Sequence, residues 1–167
     1  MVDVHSKEIR RKNMRAIKTE NTFIENCISR LLNEMEIPFT VQIKALPGKP
    51  DFVIENYKAI IFTHGCFWHK HDCYLFKPPK TRTEFWLGKI EENCNRDKRN
   101  IDDLIQQGWK VLIIWECSLR GKLKLTDEQL SERLEEWLCS ENKLGYIDTF
   151  GIHSAISEST RNSMSFQ

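Results

Sequence analysis

The segment that most constrains this chain is residues 59–73, with the sequence AIIFTHGCFWHKHDC. An apolar run from Ala59 to Phe62 ends abruptly, and three histidines, two cysteines, a threonine and a Phe-Trp pair follow before residue 74. This pattern predicts a buried strand that leads into a loop rich in metal ligands and aromatic rings. Because imidazole and thiolate groups are costly to bury without a partner, the segment indicates a metal site or a reaction centre rather than simple packing.

Length and composition fit one domain with a sizeable core, since the chain has 167 residues of which 40% are hydrophobic. The net charge of +1 and the pI of about 7.6 do not single out a nucleic-acid partner. Residues 1–18, however, carry six basic side chains against only Asp3 and Glu8. Such a segment either lies along phosphate or is a solvated, partly disordered terminus, and charge alone favours neither reading.

No stretch of the sequence reaches the ~18 apolar residues of a membrane span, and no apolar segment follows Met1 as in a secretory signal. We therefore expect a cytosolic chain without membrane association. In that compartment the six cysteines are metal ligands or buried thiols rather than disulfides. Cys27, Cys94 and Cys139 fall on predicted helical faces, where small core residues are expected.

Hydrophobic periodicity and turn signals predict an α/β domain of two or three layers around a central mixed sheet. The first helix begins at a capping box of Thr22 and Glu25 and runs to about Glu36. The other expected elements are a strand at 39–42, a hairpin of 51–54 and 57–63, a helix at 83–107, a buried strand at 111–117 and a helix at 127–139. Residues 140–167 are rich in Ser and Asn, which predicts a loosely held tail.

The dipeptide Pro50-Asp51 opens one strand of the predicted hairpin, and Thr63-His64 ends the other. Antiparallel pairing brings these two strand ends together, as in nucleases that hold Mg²⁺ between adjacent strands. The usual nuclease pattern continues with Glu-x-Lys on the second strand, whereas this chain offers Phe62-Thr63-His64. A Pro-Asp dipeptide alone more often starts a turn, and it is the histidine-rich partner strand that favours a metal site here.

Two further carboxylates are candidates for the same site. Asp97 lies on the apolar stripe of the long predicted helix, one turn from Cys94 and one turn from Ile101. A carboxylate on an apolar face needs a partner, so Asp97 either pairs with a basic neighbour on its own helix or faces the pocket of Asp51. We favour the second reading. Glu25 borders the stripe of the first helix, where capping alone would account for it.

Six histidine and cysteine side chains compete for two roles, and they are His64, Cys66, His69, His71, Cys73 and Cys117. A closed zinc site takes four ligands in tetrahedral geometry. Cys66, His71 and Cys73 have ligand-like spacing, and Cys117 ends the central strand, from which it could reach their loop. A Cys₃His zinc site is therefore predicted, which leaves His64 and His69 for proton transfer near a hydrated metal. The alternative is a set of polar residues without a metal.

Three aromatic residues lie around this loop, with Phe67 and Trp68 inside it and Trp86 near the start of the long helix. They either cap the core beneath the loop or insert between DNA bases to unstack them. Any one of them alone would be assigned to the core. Three in one loop system favour contact with DNA.

The motifs that contain these residues resemble those of the very-short-patch-repair (Vsr-type) mismatch endonucleases. The similarity covers about residues 5–152 and includes KNMRAI (12–17), LPGKPDFV (46–53), IFTHGCFWH (61–69), CYLF (73–76), TRTEFW (81–86), Arg96-Asp97, VLIIWEC (111–117) and Glu135-Glu-Trp137. The resemblance implies a fold like that of type II restriction endonucleases. It also implies Mg²⁺-dependent nicking 5′ of the thymine in a T·G mismatch left by deamination of 5-methylcytosine.

Residue roles follow from the same resemblance. It implies Asp51 and Thr63 as Mg²⁺ contacts, His69 as the base or its positioning group, His64, Glu25 and Asp97 around the site, Cys66, His71, Cys73 and Cys117 as zinc ligands, and Phe67, Trp68 and Trp86 as intercalating rings. The chain divides into a basic DNA-contacting arm (1–20), a nuclease domain with the zinc site (21–152) and a polar tail (153–167).

Double-stranded DNA with a T·G mismatch is the implied partner, and mismatch-repair proteins are further candidates. The protein is expected to act as a monomer in the bacterial cytoplasm, at the nucleoid. Two alternatives stay open at this point. One is a restriction endonuclease of the same fold that cuts undamaged DNA, and the other is a non-catalytic zinc module that only binds DNA.

Overall fold

A computed structural model describes residues 23–154, which form a six-stranded mixed sheet with helices on both faces. The strands are β1 Thr40–Val41, β2 Phe52–Ile54, β3 Ala59–His64, β4 Lys110–Trp115, β5 Leu144–Asp148 and β6 Gly151–Ser154. The helices are α1 (residues 23–34), α2 Thr83–Gln106, α3 Glu116–Leu119 and α4 Asp127–Leu138, with a short 3₁₀ turn at Glu55–Tyr57. The expected mixed α/β sheet flanked by helices is confirmed. The basic arm, the capping residue Thr22 and residues 155–167 lie outside the described residues.

The strands lie in the sheet in chain order. The outer pairs β1–β2, β2–β3 and β5–β6 are antiparallel, whereas β3, β4 and β5 run parallel. Because parallel strands end at the same edge of a sheet, His64 at the end of β3 lies opposite Trp115 at the end of β4. The start of β2 reaches this edge as well, since β2 runs against β3.

Both faces of the sheet are covered because the central strands are apolar on both sides. In β3, Ala59 and Ile61 pack with α1 and α4 on one face, while Ile60 and Phe62 pack with α2 on the other. The β4 strand alternates in the same way. The result is a three-layer domain in which α2 crosses one face of the sheet. The last buried residue of this helix is Leu104. No helix within residues 23–154 is long and apolar enough to cross a membrane.

The central strand ends two residues earlier than the expected 111–117. After Trp115 the chain turns into α3, and the Ser118 hydroxyl donates a hydrogen bond to the Trp115 carbonyl at 2.7 Å. Cys117 therefore lies in the first turn of a short helix rather than on a strand. It remains at the same edge of the sheet as the end of β3.

The prediction of a loosely held tail from residue 140 is wrong for residues 144–154, which form the antiparallel pair β5–β6. Strand β6 extends to Ser154, so it also crosses the expected boundary between nuclease domain and tail. The many polar residues of this segment concealed the strands, although Gly145 and Ile147 of β5 are buried. Gly145 is required by its packing, since a Cβ there would lie 2.8 Å from the Trp137 ring.

Candidate active site

Asp51 and Thr63 meet at the sheet edge, as the hairpin pattern predicts. Asp51 directly precedes β2, and its Oδ2 accepts hydrogen bonds from the Thr63 main-chain nitrogen at 2.7 Å and from the Thr63 hydroxyl at 3.1 Å. These two bonds fix the orientation of the carboxylate. Both bonds are made to Oδ2, and the carboxyl group of Glu25 lies within side-chain hydrogen-bonding reach of Asp51.

Two carboxylates crowd this position. Burial is the main cause that, together with the negative charge of Glu25 on α1, raises the pKa of Asp51 from 3.8 to about 7, against the lowering effect of the hydrogen bonds from Thr63. Glu25 in turn accepts a hydrogen bond from Gln42 at 3.4 Å. Two neighbouring carboxylates away from water destabilise the folded protein unless a positive charge lies beside them. Their oxygens are the hard ligands that Mg²⁺ prefers.

A histidine pair forms the opposite wall of the site. The ring of His69 lies on that of His64, with centroids 3.8 Å apart and planes 6° apart. The Nδ1 of His69 is in short contact with Oδ2 of Asp97, so α2 supplies the carboxylate that orients this ring. Asp97 therefore does not depend on basic neighbours of its own helix. Burial, and then the adjacent His69, keep the pKa of His64 well below its ordinary value, which leaves His64 neutral.

His64, His69 and Asp97 also have ligand atoms within 4.8 Å of one another. The stacked geometry nevertheless argues against a shared ion. Nitrogen lone pairs lie in the ring plane, and two parallel planes have no common point at which one ion could meet both. This trio is better suited to orienting and moving a proton than to holding a metal.

The two walls enclose a cavity of about 180 Å³, which we name the site cavity. Its lining includes Asp51, Thr63, His64, His69 and Asp97, so five of the six predicted catalytic residues meet there. The sixth, Glu25, reaches Asp51 from α1. Sequence reasoning missed Lys49 and Asn100, which also line this cavity.

The usual nuclease pattern carries a lysine on the second strand, and β3 has none. Lys49 places a lysine at the site from a different segment. It lies in the turn before Pro50, and the signal that could have found it was its position directly beside the Pro-Asp dipeptide. Gly48 allows this turn to approach α2 closely, since an added Cβ would lie 3.1 Å from Asn100.

A second cluster lies beside the site cavity and consists of Cys66, His71, Cys73 and Cys117, which we name the Cys/His cluster. Its four ligand atoms lie within 4.8 Å of one another. His71 Nδ1 is 3.6 Å from the sulfurs of both Cys66 and Cys117. Hydrogen bonds from Cys66 and His71 lower the pKa of Cys117 to about 5, while the same hydrogen bond to Cys117 raises the pKa of Cys66. A closed set of soft donors, one of them a thiolate, is typical of a bound metal ion.

Glu116 supports this cluster from α3. One of its oxygens accepts a hydrogen bond from the Cys66 main-chain nitrogen at 3.1 Å, and the other is 3.3 Å from Arg120. The cluster thereby ties the loop after β3 to the residues after β4.

The aromatic residues form a continuous row at the surface of the loop and α2, which we name the aromatic row. Its neighbouring ring centroids are 6.2 Å apart for Phe76–Phe67, 5.1 Å for Phe67–Trp68, 5.9 Å for Trp68–Trp86 and 5.3 Å for Phe85–Trp86. Phe67, Trp68 and Trp86 are half-buried, and Phe85 is exposed. They are not core residues, because the two core clusters do not include them.

Comparison with known proteins decides the family. The family model for "DNA mismatch endonuclease Vsr" matches residues 2–75. The DNA mismatch endonuclease Vsr of Escherichia coli (strain K12) is 60% identical over 153 residues, which cover 92% of this chain and 98% of that protein. The chain belongs to the Vsr family.

More distant Vsr relatives are named as nicking enzymes. A type II nicking enzyme of Xanthomonas oryzae pv. oryzae is 40% identical over 119 residues, covering 71% of this chain and 88% of that protein. A second, from Neisseria meningitidis serogroup A, is 36% identical over 136 residues, covering 81% of this chain and 96% of that protein. The Vsr resemblance predicted from the sequence motifs is thus confirmed.

The other three cysteines of this Vsr-family chain lie in different environments. Cys27 packs against the core, as expected. Cys94 is half-buried and donates a hydrogen bond from its thiol to the His69 carbonyl at 3.3 Å. Cys139 is exposed at the end of α4, so its assignment to the core is wrong.

Proposed function

We propose that this protein is a mismatch endonuclease that starts very-short-patch repair by nicking one DNA strand 5′ of the thymine in a T·G mismatch. The 60% identity to the Escherichia coli enzyme carries this proposal, since it extends over 98% of that enzyme. The site cavity supports it with an acid on one wall and an oriented histidine on the other. The fold we propose is that of restriction endonucleases, on the basis of the mixed sheet and of the acid where β2 begins.

Asp51 and Thr63 are the residues we propose to hold Mg²⁺. The fit rests on the carboxylate of Asp51 that Thr63 orients, on the proximity of Glu25 and on the raised pKa of Asp51, which a bound cation would reverse. When bound there, Mg²⁺ supplies positive charge that stabilises the leaving 3′-oxygen. The Thr63 hydrogen bonds keep the carboxylate in a single orientation for this role.

His69 is the residue we propose as the base. With Nδ1 committed to Asp97, its Nε2 is the nitrogen that can accept a proton from water. Asp97 holds the ring in that tautomer and stabilises the charge that develops on it. The stacked, neutral His64 restricts the rotation of His69 without competing for the proton.

Removing the charge of Asp97 is expected to slow the reaction without weakening DNA binding. Because Asp97→Asn keeps the size of the side chain but not its charge, nicking should fall by about 10²-fold. Single-turnover nicking and equilibrium binding to the same duplex measure the two effects. Asp103→Asn, an exposed acid on the same helix, is the matched control. An Asp97→Asn variant that nicks as fast as the unaltered protein would remove Asp97 from the mechanism.

For the aromatic row we propose insertion at the mismatch by Phe67, Trp68 and Trp86. Half-exposed rings that contact one another edge to face form a stiff surface, and a wobble pair is already easier to unstack than a matched pair. The cost of unstacking would then favour mismatched DNA even where no base edge is contacted.

A comparison of duplexes tests the function directly. We expect a T·G duplex to be nicked in the thymine strand about 10- to 10²-fold faster than the matched duplex, because each wrong base pair typically changes binding by 1–3 kcal/mol. Labelling each strand separately, with and without Mg²⁺, gives the strand, the position and the metal requirement. Cleavage of both strands of the matched duplex would instead support a restriction endonuclease. Binding without product would support the non-catalytic module.

The cofactor of the Cys/His cluster is proposed to be Zn²⁺, because three cysteines and a histidine match its usual structural ligands. We further propose that the protein acts as a monomer at the bacterial nucleoid, with mismatch-repair proteins as partners. The basic arm of residues 1–20 would add phosphate contacts, and its role rests on its six basic side chains.

A further inference from the structure

Trp115, the last residue of β4, lies between the Cys/His cluster and the histidine pair. Its indole stacks on the His71 ring, with centroids 4.1 Å apart and planes 8° apart. Its edge meets His64 at 5.3 Å and His69 at 6.3 Å, at steep interplanar angles. One side chain therefore contacts a member of the cluster and both histidines of the site cavity.

The pairing of β3 with β4 places Trp115 beside these residues. Trp115 pairs in register with His64 across the parallel strands β3 and β4, and Cys117 follows two residues later on α3. The rings of His71, Trp115, His64 and His69 thus form a continuous series from the cluster to the site cavity.

A second cavity adjoins the indole of Trp115. Its volume is about 300 Å³, and its lining includes Trp115, Tyr146 and Leu144 together with His64 and His69. Because this space adjoins both the indole and the histidine pair, the placement of these rings depends on their contacts with one another as well as on the packing of Trp115 against the core on the α2 side of the sheet. A metal ion that holds His71 would hold Trp115 as well.

We propose that Trp115 is a positioning residue that makes the placement of His64 and His69 depend on the metal occupancy of the Cys/His cluster. Metal at the cluster fixes His71, stacking on His71 fixes Trp115, and the edge contacts of Trp115 fix the histidine stack. This inference rests on the proposed nicking function for its kinetic readout, and it deepens that function by giving the cluster an effect on the rate.

The test compares Trp115→Leu, Trp115→Phe and Trp109→Leu as metal-loaded proteins with the unaltered chain. Trp109 is the matched control because it is also half-buried but lies at the opposite end of β4, beside Lys58. Single-turnover nicking of a T·G duplex, its equilibrium binding, the metal content and the rate of metal loss to a chelator are measured for each. Thermal melting identifies any variant that does not fold.

Trp115→Leu is expected to slow nicking by about 10- to 10²-fold, the range for a misplaced reacting group, while duplex binding stays unchanged. It should keep its metal but lose it to chelator about tenfold faster, as for loss of a residue that supports a metal ligand. Trp115→Phe, which keeps a ring that can stack, should recover most of both effects. Trp109→Leu should change neither.

Several results would overturn the inference. They are an unchanged nicking rate in Trp115→Leu, an unchanged rate of metal loss, a decrease in nicking explained by weaker duplex binding, and a Trp115→Phe variant no better than Trp115→Leu. The chelator measurement needs no DNA, so it tests the link even if the proposed function fails. That separate failure would appear as no product from the unaltered chain with the T·G duplex.

Discussion

Asp51→Asn is expected to abolish nicking and, at the same time, to stabilise the protein in the absence of Mg²⁺. Loss of the carboxylate removes the proposed metal contact, so nicking should fall by about 10³-fold or more. The asparagine carbonyl can still accept the Thr63 hydrogen bonds, but it carries no charge to be buried near Glu25. Unfolding in denaturant should therefore show a gain of about 1 kcal/mol or more at neutral pH.

The pH dependence of stability follows from the same residue. Since folding raises the pKa of Asp51 from 3.8 to about 7, the folded state binds the proton more tightly than the unfolded state. The contribution of Asp51 to the free energy of unfolding therefore falls as the pH rises between these two values and is level above about 7. Asp51→Asn should lose this component of the slope. In the protein without this substitution, Mg²⁺ binding should weaken as the pH falls below about 7, because protonation of Asp51 competes with the metal.

Asp103→Asn serves again as the control, since that acid is exposed on α2. It should change neither nicking nor the slope of stability with pH. An Asp51→Asn variant that still nicks the T·G duplex would refute the assignment of Asp51 as a metal contact. If instead the variant were less stable than the unaltered protein without Mg²⁺, burial of the charge would not be the dominant effect at this position.

Cys117→Ser is expected to cost the protein its cluster metal and much of its stability together. Cys117 is fully buried, and a hydroxyl in its place is a poor ligand for a soft metal site. Because binding energy at a structural metal site is folding energy, the melting temperature should fall by about 10 °C or more. Metal analysis after gel filtration and a melting curve measure the two effects.

Cys139→Ser is the matched control, because this cysteine is exposed at the end of α4 and lies outside the cluster. It should retain one equivalent of metal and an unchanged melting temperature. Full metal content in Cys117→Ser would exclude Cys117 as a ligand. A normal melting temperature after complete metal loss would show that the cluster does not support the fold.

The sequence was sufficient to predict the elements whose signal is local. The apolar stripe of α2, the buried runs of β3 and β4, and the periodicity of α4 each decide the structure of their own segment. Site contacts that follow from strand pairing were also predictable. Asp51 and Thr63 lie at paired ends of one hairpin, and Cys117 follows the strand beside β3.

Features that depend on tertiary packing were not predictable in this way. Strands β5 and β6 have too few apolar residues to stand out, and they are strands because β4 offers an edge to pair with. The turn into α3 at Glu116 interrupts what reads as one apolar run. The stack of His64 on His69 has no signal in local spacing either.

The two halves of the Cys/His cluster are far apart along the chain, and this separation has a consequence for assembly. Any ion that joins Cys66 to Cys117 closes a covalent-like ring through the intervening polypeptide, which includes the whole of α2 and therefore Asp97 and Trp86. Such closure restricts the unfolded chain more strongly the longer the enclosed segment is. Binding of that ion would then favour the folded chain over the unfolded one, with α2 held between the two joined segments.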